Sequence, residues 1–160
     1  MKNLEELFEH QLQDLYSAED QLTDALPKMA KKAKDANLKR AIENHLEETE
    51  EHKNRIKEIC EELDFDPKGK TCKAMKGLIK ETEDFMDDAD DDDVLNAGMI
   101  AEAQRVEHYE ISAYGTAVRY AKELGHSGIA DKLQLTLDEE YNADNTLNDL
   151  AESRLNARAI

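Results

Sequence analysis

Apolar residues recur at intervals of three and four along almost the whole chain, and few helix-breaking residues interrupt them. The 160 residues include only two prolines and six glycines, and no long run alternates apolar and polar residues as a half-buried strand would. Ala, Leu, Glu and Lys, which favour helices, are abundant, whereas Val and Ile are sparse. The pattern predicts an all-α protein, and the length predicts a single domain over residues 1–160.

The same periodicity predicts five helices, over residues 4–34, 38–63, 71–86, 94–124 and 128–154. Short links join the first two helices and the last two, so each pair is expected to form an antiparallel hairpin. A crossover of about 30 residues joins the hairpins and carries the short third helix. A ferritin-like four-helix bundle has this topology. Pro27 lies inside the first helix, where we expect a kink or, alternatively, a break.

The charge balance excludes several classes of function. Lys and Arg number 21 and Asp and Glu number 38, which gives a formal net charge of −17 at pH 7. A nucleic-acid-binding protein needs a cationic surface to displace counterions from phosphates, and an anionic membrane surface would repel this chain. No apolar stretch reaches the roughly 18 residues that span a bilayer, and acids occupy the N-terminus where a signal peptide is apolar. We therefore expect a cytoplasmic protein that binds neither nucleic acid nor membranes.

An acidic segment follows the third helix. Residues 87–93 hold six aspartates in seven positions, and their mutual repulsion favours a solvated loop that ends in an N-cap. A calcium-binding loop is the alternative, but the glycine and the terminal glutamate of an EF-hand are missing.

The two cysteines, Cys60 and Cys72, are too few for a disulfide scaffold or a four-cysteine zinc site. We expect two unrelated buried thiols, with a redox pair across the turn after the second helix as the alternative. The chain has no rubredoxin-like cysteine cluster, so any electron donor would be external.

Acidic residues fall where the helical pattern places the bundle core. In the helix over residues 94–124, the inward stripe from Ile100 to Ala121 is apolar or aromatic except at Glu107 and Glu110. These two lie three residues apart and therefore point the same way. Two glutamates in a core cannot both stay ionised without a cation or a proton to offset them. Tyr114, one turn further along the stripe, is the tyrosine expected beside this pair.

The other long helices offer matching residues near their midpoints. The helical pattern places five of them near the inner faces: Glu19, His45, Glu48, Glu140 and Asp144. His52 is expected to support the ligands or face solvent, and Asp14 to be a hydrogen-bond partner. Mid-helix residues of an antiparallel bundle meet at one level, so four helices supply carboxylates or imidazoles to one layer of the core. Such a set favours a pair of iron or manganese ions.

Four segments carry a family resemblance that is specific only when they are taken together. They are residues 14–19 (DLYSAE), 45–49 (HLEET), 106–110 (VEHYE, followed by Tyr114 and Gly115) and 137–140 (LDEE, running to Asp144). With them the chain resembles, over nearly its whole length, the YciF-like (YciE/YciF) family of ferritin-like proteins. The resemblance implies a ferritin-like four-helix bundle, often a homodimer, related to rubrerythrin and bacterioferritin. It also implies a role in the bacterial stress response.

The ligand pattern of ferritin-like proteins has a Glu on the first helix, Glu-x-x-His on the second, Glu on the third and Glu-x-x-His on the fourth. Glu19, Glu107 and Glu140 match glutamates of the first, third and fourth elements. Glu110 matches the extra carboxylate of rubrerythrin-like members. The resemblance therefore implies a centre for two metal ions in the middle of the bundle.

The histidine elements depart from this pattern. Thr49 stands three residues before His52, so the second helix offers His45-x-x-Glu48 in the reverse order. Ala143 stands three residues after the glutamate of the fourth element, and Asp144 is next. The site is therefore expected to be carboxylate-rich or incomplete.

Two functions follow from these residues. In the first, two iron or manganese ions react with O2 or H2O2, and Glu140 bridges them together with Glu48 or Glu107. The shell is completed by Glu19, Glu110, His45 and Asp144. In the second, the chain is a non-catalytic, stress-associated interaction or structural bundle with a vestigial metal site. A third, an iron-storage cage, would need assembly surfaces that the sequence does not reveal.

Overall fold

A computed structural model describes the backbone of residues 1–160 and the side chains of all of them except Arg154. Over this range the chain forms five main helices in the expected order: α1 (Leu4–Lys32), α2 (Ala36–Glu62), α3 (Lys73–Asp88), α4 (Asp92–Glu123) and α5 (Ser127–Leu150). Beyond α5 follow a π-helical turn, Ala151–Leu155, and a short helix α6, Asn156–Arg158. No helix among the described residues is long and apolar enough to cross a membrane. The predicted all-α fold is confirmed.

The four long helices pack as two hairpins. α1 packs mainly against α2 and α4 mainly against α5, because short links over residues 33–35 and 124–126 join the partners. The hairpins meet along two seams, one between α1 and α4 and one between α2 and α5. α3, in the crossover, packs on both α4 and α1 and so covers the first seam. The predicted bundle with a long crossover is therefore confirmed.

Several helix limits differ from the predicted ones. Asp35 caps α2, which begins two residues before the predicted start, because its side chain accepts hydrogen bonds from the backbone N–H groups of Asn37 and Leu38. At α5 the residue in the N-cap position is His126, which makes no side-chain capping bond. α1 continues through Pro27, and the alternative of a break there is wrong.

The acidic segment is more helical than predicted. α3 extends to Asp88 and α4 begins at Asp92, which leaves residues 89–91 as the loop. Asp91 caps α4 by accepting hydrogen bonds from the backbone N–H groups of Asp93 and Val94. Carboxylates in the first turn of a helix are stabilised by its dipole. This favourable placement explains why the repulsion among the aspartates does not unwind the start of α4.

Two apolar clusters fill the bundle on either side of a polar layer. Every long helix contributes to both clusters, which include Leu22, Ile42 and Met99 on one side and Leu12, Ile56 and Leu133 on the other. The positions between them, at the middle of the helices, are buried acids and histidines. The bundle therefore has two apolar halves and a polar midplane.

The crossover helix approaches α4 most closely at Gly98. A Cβ atom on this residue would overlap the ring of Phe85 on α3. Gly77, on α3 itself, has open space where a Cβ would stand. The contact between α3 and α4 therefore requires a glycine at the first position and not at the second.

We predict opposite effects for the same substitution at these two glycines. Gly98→Ala should lower the free energy of unfolding by about 1–3 kcal/mol, because Phe85 must leave its position. Gly77→Ala should raise it by about 0.5–1 kcal/mol, because alanine favours an exposed helical position. Urea denaturation followed by circular dichroism measures both, and equal effects of the two variants would contradict the close approach of α3 to α4.

Candidate metal centre

The polar midplane contains six buried ionisable side chains from all four long helices. α1 supplies one, α2 two, α4 two and α5 one: Glu19, His45, His52, Glu107, Glu110 and Glu140. The most exposed of them, His45, has only 7% of its surface accessible. Charged groups in this environment need an opposite charge or a proton, because they have lost their water.

The six side chains form two groups that share one carboxylate. One ligand atom from each of His45, Glu107, Glu110 and Glu140 lies within 4.8 Å of the others, and the same holds for Glu19, His52 and Glu140. Glu140 belongs to both groups. Two cation sites joined by a bridging carboxylate have this arrangement, which is the one that ferritin-like di-metal proteins build in a bundle core.

Short contacts hold the cluster together. Nε2 of His45 lies 3.2 Å from Oε1 of Glu107. Nδ1 of His52 lies 2.9 Å from Oε1 of Glu140 and 3.7 Å from Oε1 of Glu19. The buried hydroxyl of Tyr114 donates a hydrogen bond to Oε1 of Glu19, so this tyrosine does lie beside the cluster.

A further layer of residues fixes the orientation of His52. Its Nε2 donates a hydrogen bond of 2.9 Å to Oε2 of Glu139. The same carboxylate accepts a hydrogen bond of 2.7 Å from Arg55, whose guanidinium also donates to Thr136. With Nε2 carrying the proton, Nδ1 presents its lone pair to the cluster. Carboxylates play this orienting role toward the histidines that bind metals in proteins.

Among the described side chains, most buried polar atoms without a hydrogen-bond partner belong to this cluster. Among the described side chains, eleven buried nitrogen or oxygen atoms have no hydrogen-bond partner, and nine of them lie on the six cluster residues. Both carboxylate oxygens of Glu110 and of Glu140 are in this group. Native proteins leave few such atoms unpaired. Metal coordination would satisfy these oxygen and nitrogen atoms, and their types suit iron or manganese.

The environment shifts the pKa values of the cluster acids. Burial raises the pKa of Glu19 from 4.5 to about 7. The charge of Glu140 acts in the same direction, and that of His52 opposes it. Burial, reinforced by neighbouring acids, raises the pKa values of Glu107 and Glu110 well above their ordinary range. Burial acts in the same direction on Glu140, but the close contact with His52 and nearby positive charge lower its pKa.

The pKa values of the two histidines are raised, which favours their positively charged forms beside these acids. Burial acts to lower the pKa of His45, but the charge of Glu107 and the contact with Glu48 outweigh it and raise the pKa from 6.5 to about 10. Burial likewise opposes the charged form of His52, yet Glu140 raises its pKa. Without a cation the cluster therefore holds its charge balance with bound protons. Cations entering it would displace those protons.

The structure brings together five of the seven sequence-predicted metal ligands: Glu19, His45, Glu107, Glu110 and Glu140. Glu48 lies outside the cluster, with 46% of its side chain exposed and its Oε2 3.8 Å from Nδ1 of His45. Asp144 also lies outside it. Its carboxylate accepts a hydrogen bond of 3.1 Å from Gln104 and lies 3.3 Å from Nε2 of His108.

Sequence reasoning placed His52 outside the ligand set, whereas the structure places it within the cluster. Helical spacing puts Thr49, His52 and Ile56 on one face of α2, and the structure buries all three. Asp14 is a hydrogen-bond partner, as expected, and accepts from the hydroxyl of Tyr109 at 2.5 Å.

The two cysteines are free and buried, and they belong to different apolar clusters. Cys72 donates a hydrogen bond of 3.2 Å to Asp14, and its sulfur lies 3.0 Å from the hydroxyl of Tyr109. Burial raises the pKa of Cys60 to about 12 and also raises that of Cys72. Both thiols are therefore protonated at neutral pH.

Comparisons with known proteins agree with this architecture. A family described as "Domain of unknown function (DUF892)" matches residues 3–160. Protein YciF of Escherichia coli (strain K12) is 42% identical over 160 residues, which cover 99% of this chain and 96% of that protein.

Two solved structures are similar over most of their length. The crystal structure of the E. coli stress protein YciF matches with a TM-score of 0.93 at 43% identity, over 98% of this chain and 99% of that one. YcfI from Rhodopseudomonas palustris matches with a TM-score of 0.90 at 42% identity, over 92% and 94% of the two chains. The family match spans nearly the whole sequence and the relatives share more than two fifths of their residues, so this chain belongs to the DUF892 family and is a relative of YciF.

Proposed function

We propose that this protein binds two iron or manganese ions in the polar midplane and reacts with O2 or H2O2 in the bacterial stress response. The observation that carries the proposal is the shared position of Glu140 in two adjacent groups of buried ligands. The description of the E. coli relative as a stress protein supports the cellular role. We further propose that the protein works as a cytoplasmic homodimer and takes its electrons from an external donor.

The residues fit such a pair of ions. One ion would be held by His45, Glu107 and Glu110, the other by Glu19 and His52, and Glu140 would contact both. Bound divalent iron or manganese would supply the electrons and the Lewis acidity needed to bind and reduce an oxygen species. The carboxylate and imidazole donors are of the types that these metals accept.

The surrounding residues have three tasks. Glu139 and Arg55 hold the ring of His52 with Nδ1 toward the centre. Tyr114 holds one oxygen of Glu19 through its hydroxyl, which leaves the other oxygen without a protein partner. The apolar clusters on both sides exclude water, so electrostatic interactions inside the layer are stronger than they would be in solvent.

We predict that metal-loaded protein contains about two iron or manganese ions per chain. Glu107→Gln and Glu140→Gln should each lose at least one ion, because each replaces a charged ligand by a neutral amide. Asp144→Asn is the matched control and should keep the full amount, since Asp144 lies outside the cluster. Elemental analysis after anaerobic loading, on variants whose helicity is unchanged, gives these values. Full occupancy in both glutamine variants would refute the assignment.

Activity separates the redox function from a vestigial site. Iron-loaded protein should consume H2O2 or O2 under turnover with an external reductant, and Glu107→Gln should reduce the rate by at least about 10- to 100-fold, the loss that follows when a residue supporting a metal ligand is replaced. An oxygen or peroxide electrode measures the rate. Protein that holds two ions but consumes neither oxidant would favour the alternative, a non-catalytic interaction or structural bundle.

The raised pKa values predict how stability depends on pH in the metal-free protein. Glu19 titrates at about 7 when folded instead of 4.5, so the folded state holds an extra proton over that interval. His45 titrates at about 10 instead of 6.5, which has the same consequence at higher pH. A folded state that binds more protons loses stability as pH rises. The melting temperature in the presence of a chelator should therefore fall from pH 5 to pH 8.

Two comparisons test this pH dependence. Glu19→Gln should flatten the part of the curve between pH 5 and pH 7, because glutamine does not titrate. Added metal should raise the melting temperature most at pH 8, where fewer protons compete for the ligands. A melting temperature that climbs steadily from pH 5 to pH 8 without metal would show that the cluster is not proton-bound.

A further inference from the structure

A pocket of about 130 Å³ adjoins the polar midplane at the seam between α2 and α5. Its outer part is lined by exposed residues of these two helices, such as Asn44 and Asn142, and its inner end by His45 and Glu107. The pocket therefore connects solvent with one of the two ligand groups. It is open on the side of the bundle opposite to the crossover helix.

Small residues on α2 and α5 create this opening. Ala41 and Ala143 face the pocket from the two sides of the seam. Position 143 is where a Glu-x-x-His element beginning at Glu140 would carry its histidine. Here the imidazole comes instead from His45 on the facing helix, and alanine at 143 leaves the space free. Ala143 is thus both the departure from the common ligand pattern and one of the two small residues that leave the pocket open.

Much of the pocket wall is apolar. Its apolar part includes Leu22, Leu26 and Met29 of α1 and Leu147 of α5. An apolar cavity of about 150 Å³ in a protein core remains dry and binds molecules as large as benzene. The pocket therefore has room for much more than a diatomic gas, and its walls favour a hydrocarbon body.

One polar group at the inner end has no partner. His45 is buried, and neither of its ring nitrogens makes a hydrogen bond within the described structure. Nδ1 lies 3.8 Å from Oε2 of Glu48, which also lines the pocket and is too distant for a hydrogen bond. Nε2 faces Glu107, so Nδ1 is the nitrogen left for a ligand, which reaches it when the half-exposed side chain of Glu48 turns into solvent. The acids Glu48 and Glu107 nearby disfavour an anion.

We propose that this pocket binds a neutral organic molecule of about six to eight non-hydrogen atoms, with an apolar body and one hydroxyl or carbonyl group. The body would lie among Leu22, Leu26 and Leu147, and the oxygen-bearing group would form a hydrogen bond with Nδ1 of His45. The assignment of this molecule as a substrate of the centre rests on the proposed metal function. Its binding to the pocket does not, since protein side chains alone form the walls.

The test uses p-cresol and toluene, which have almost the same size and differ by one hydroxyl. Metal-free full-length protein is titrated with each, and binding is followed by chemical-shift changes in NMR spectra. We expect p-cresol to bind about five-fold more tightly than toluene, the usual value of one added hydrogen bond. Benzoate, an anion of similar size, should not bind. His45→Phe should remove the preference for p-cresol.

Variants of the two alanines show whether the molecules occupy this pocket. Ala143→Leu and Ala41→Leu fill the seam and should weaken p-cresol binding by about ten-fold or more, because the ligand would have to displace the new side chain. Ala101→Leu, at an exposed position of α4, is the matched control and should bind as the unchanged protein does.

Three results would overturn the proposal: no binding of p-cresol, equal binding by Ala143→Leu and the unchanged protein, or equal affinity for p-cresol and toluene. Metal content of Ala143→Leu is measured in parallel, because alanine offers no ligand atom. Lost p-cresol binding with a full complement of metal supports the pocket. If the protein binds p-cresol in the seam but holds no metal, the proposal of the pocket stands and the proposed metal function is refuted.

Discussion

The burial of four carboxylates and two imidazoles at one level of the bundle is the constraint on which the rest of this structure depends. Acids without water need cations or protons as partners, and the cluster residues leave nine buried atoms without a hydrogen bond. Replacing buried charges by apolar groups often stabilises a protein, so this layer serves something other than stability. The two apolar clusters on either side must supply the packing energy that the midplane does not.

The burial of these ionisable groups also accounts for the arrangement of the side chains around them. His52 can present Nδ1 to Glu140 only because Glu139 and Arg55 hold its other nitrogen. Where the common ferritin-like pattern has glutamate at 49 and histidine at 143, this chain has Thr49 and Ala143, and the second imidazole comes from His45. The cluster therefore has the donor types of the common pattern, but they are distributed differently among the helices.

Sequence periodicity predicted the helices well because an amphipathic stripe repeats over many turns, and errors at single positions average out. Helix ends depend on single hydrogen bonds, and more than one nearby side chain is of a type that can cap: at α2 it is Asp35, and Asn37 stands two residues further on. In the cluster, Glu107 and Glu110 interrupt an apolar stripe and were readily found. Glu48 lies at the edge of the inward-facing stripe of α2, where a small rotation of the helix determines whether a side chain faces the core or the solvent. His52 depends on partners from other parts of the bundle, which helical spacing alone does not reveal.

The positions of the crossover and of the pocket follow from one topological fact. Two hairpins meet along two seams, and the crossover helix can cover only one of them. Cys72 at the start of α3 contacts Asp14 of α1 and is close to the hydroxyl of Tyr109 of α4, so the seam between α1 and α4 is held by polar contacts under α3. Among the described residues, no crossover element packs over the seam between α2 and α5, and this seam has alanines at 41 and 143. Access to the buried layer therefore lies where the topology leaves the bundle open, and Ala143 places that access directly beside His45.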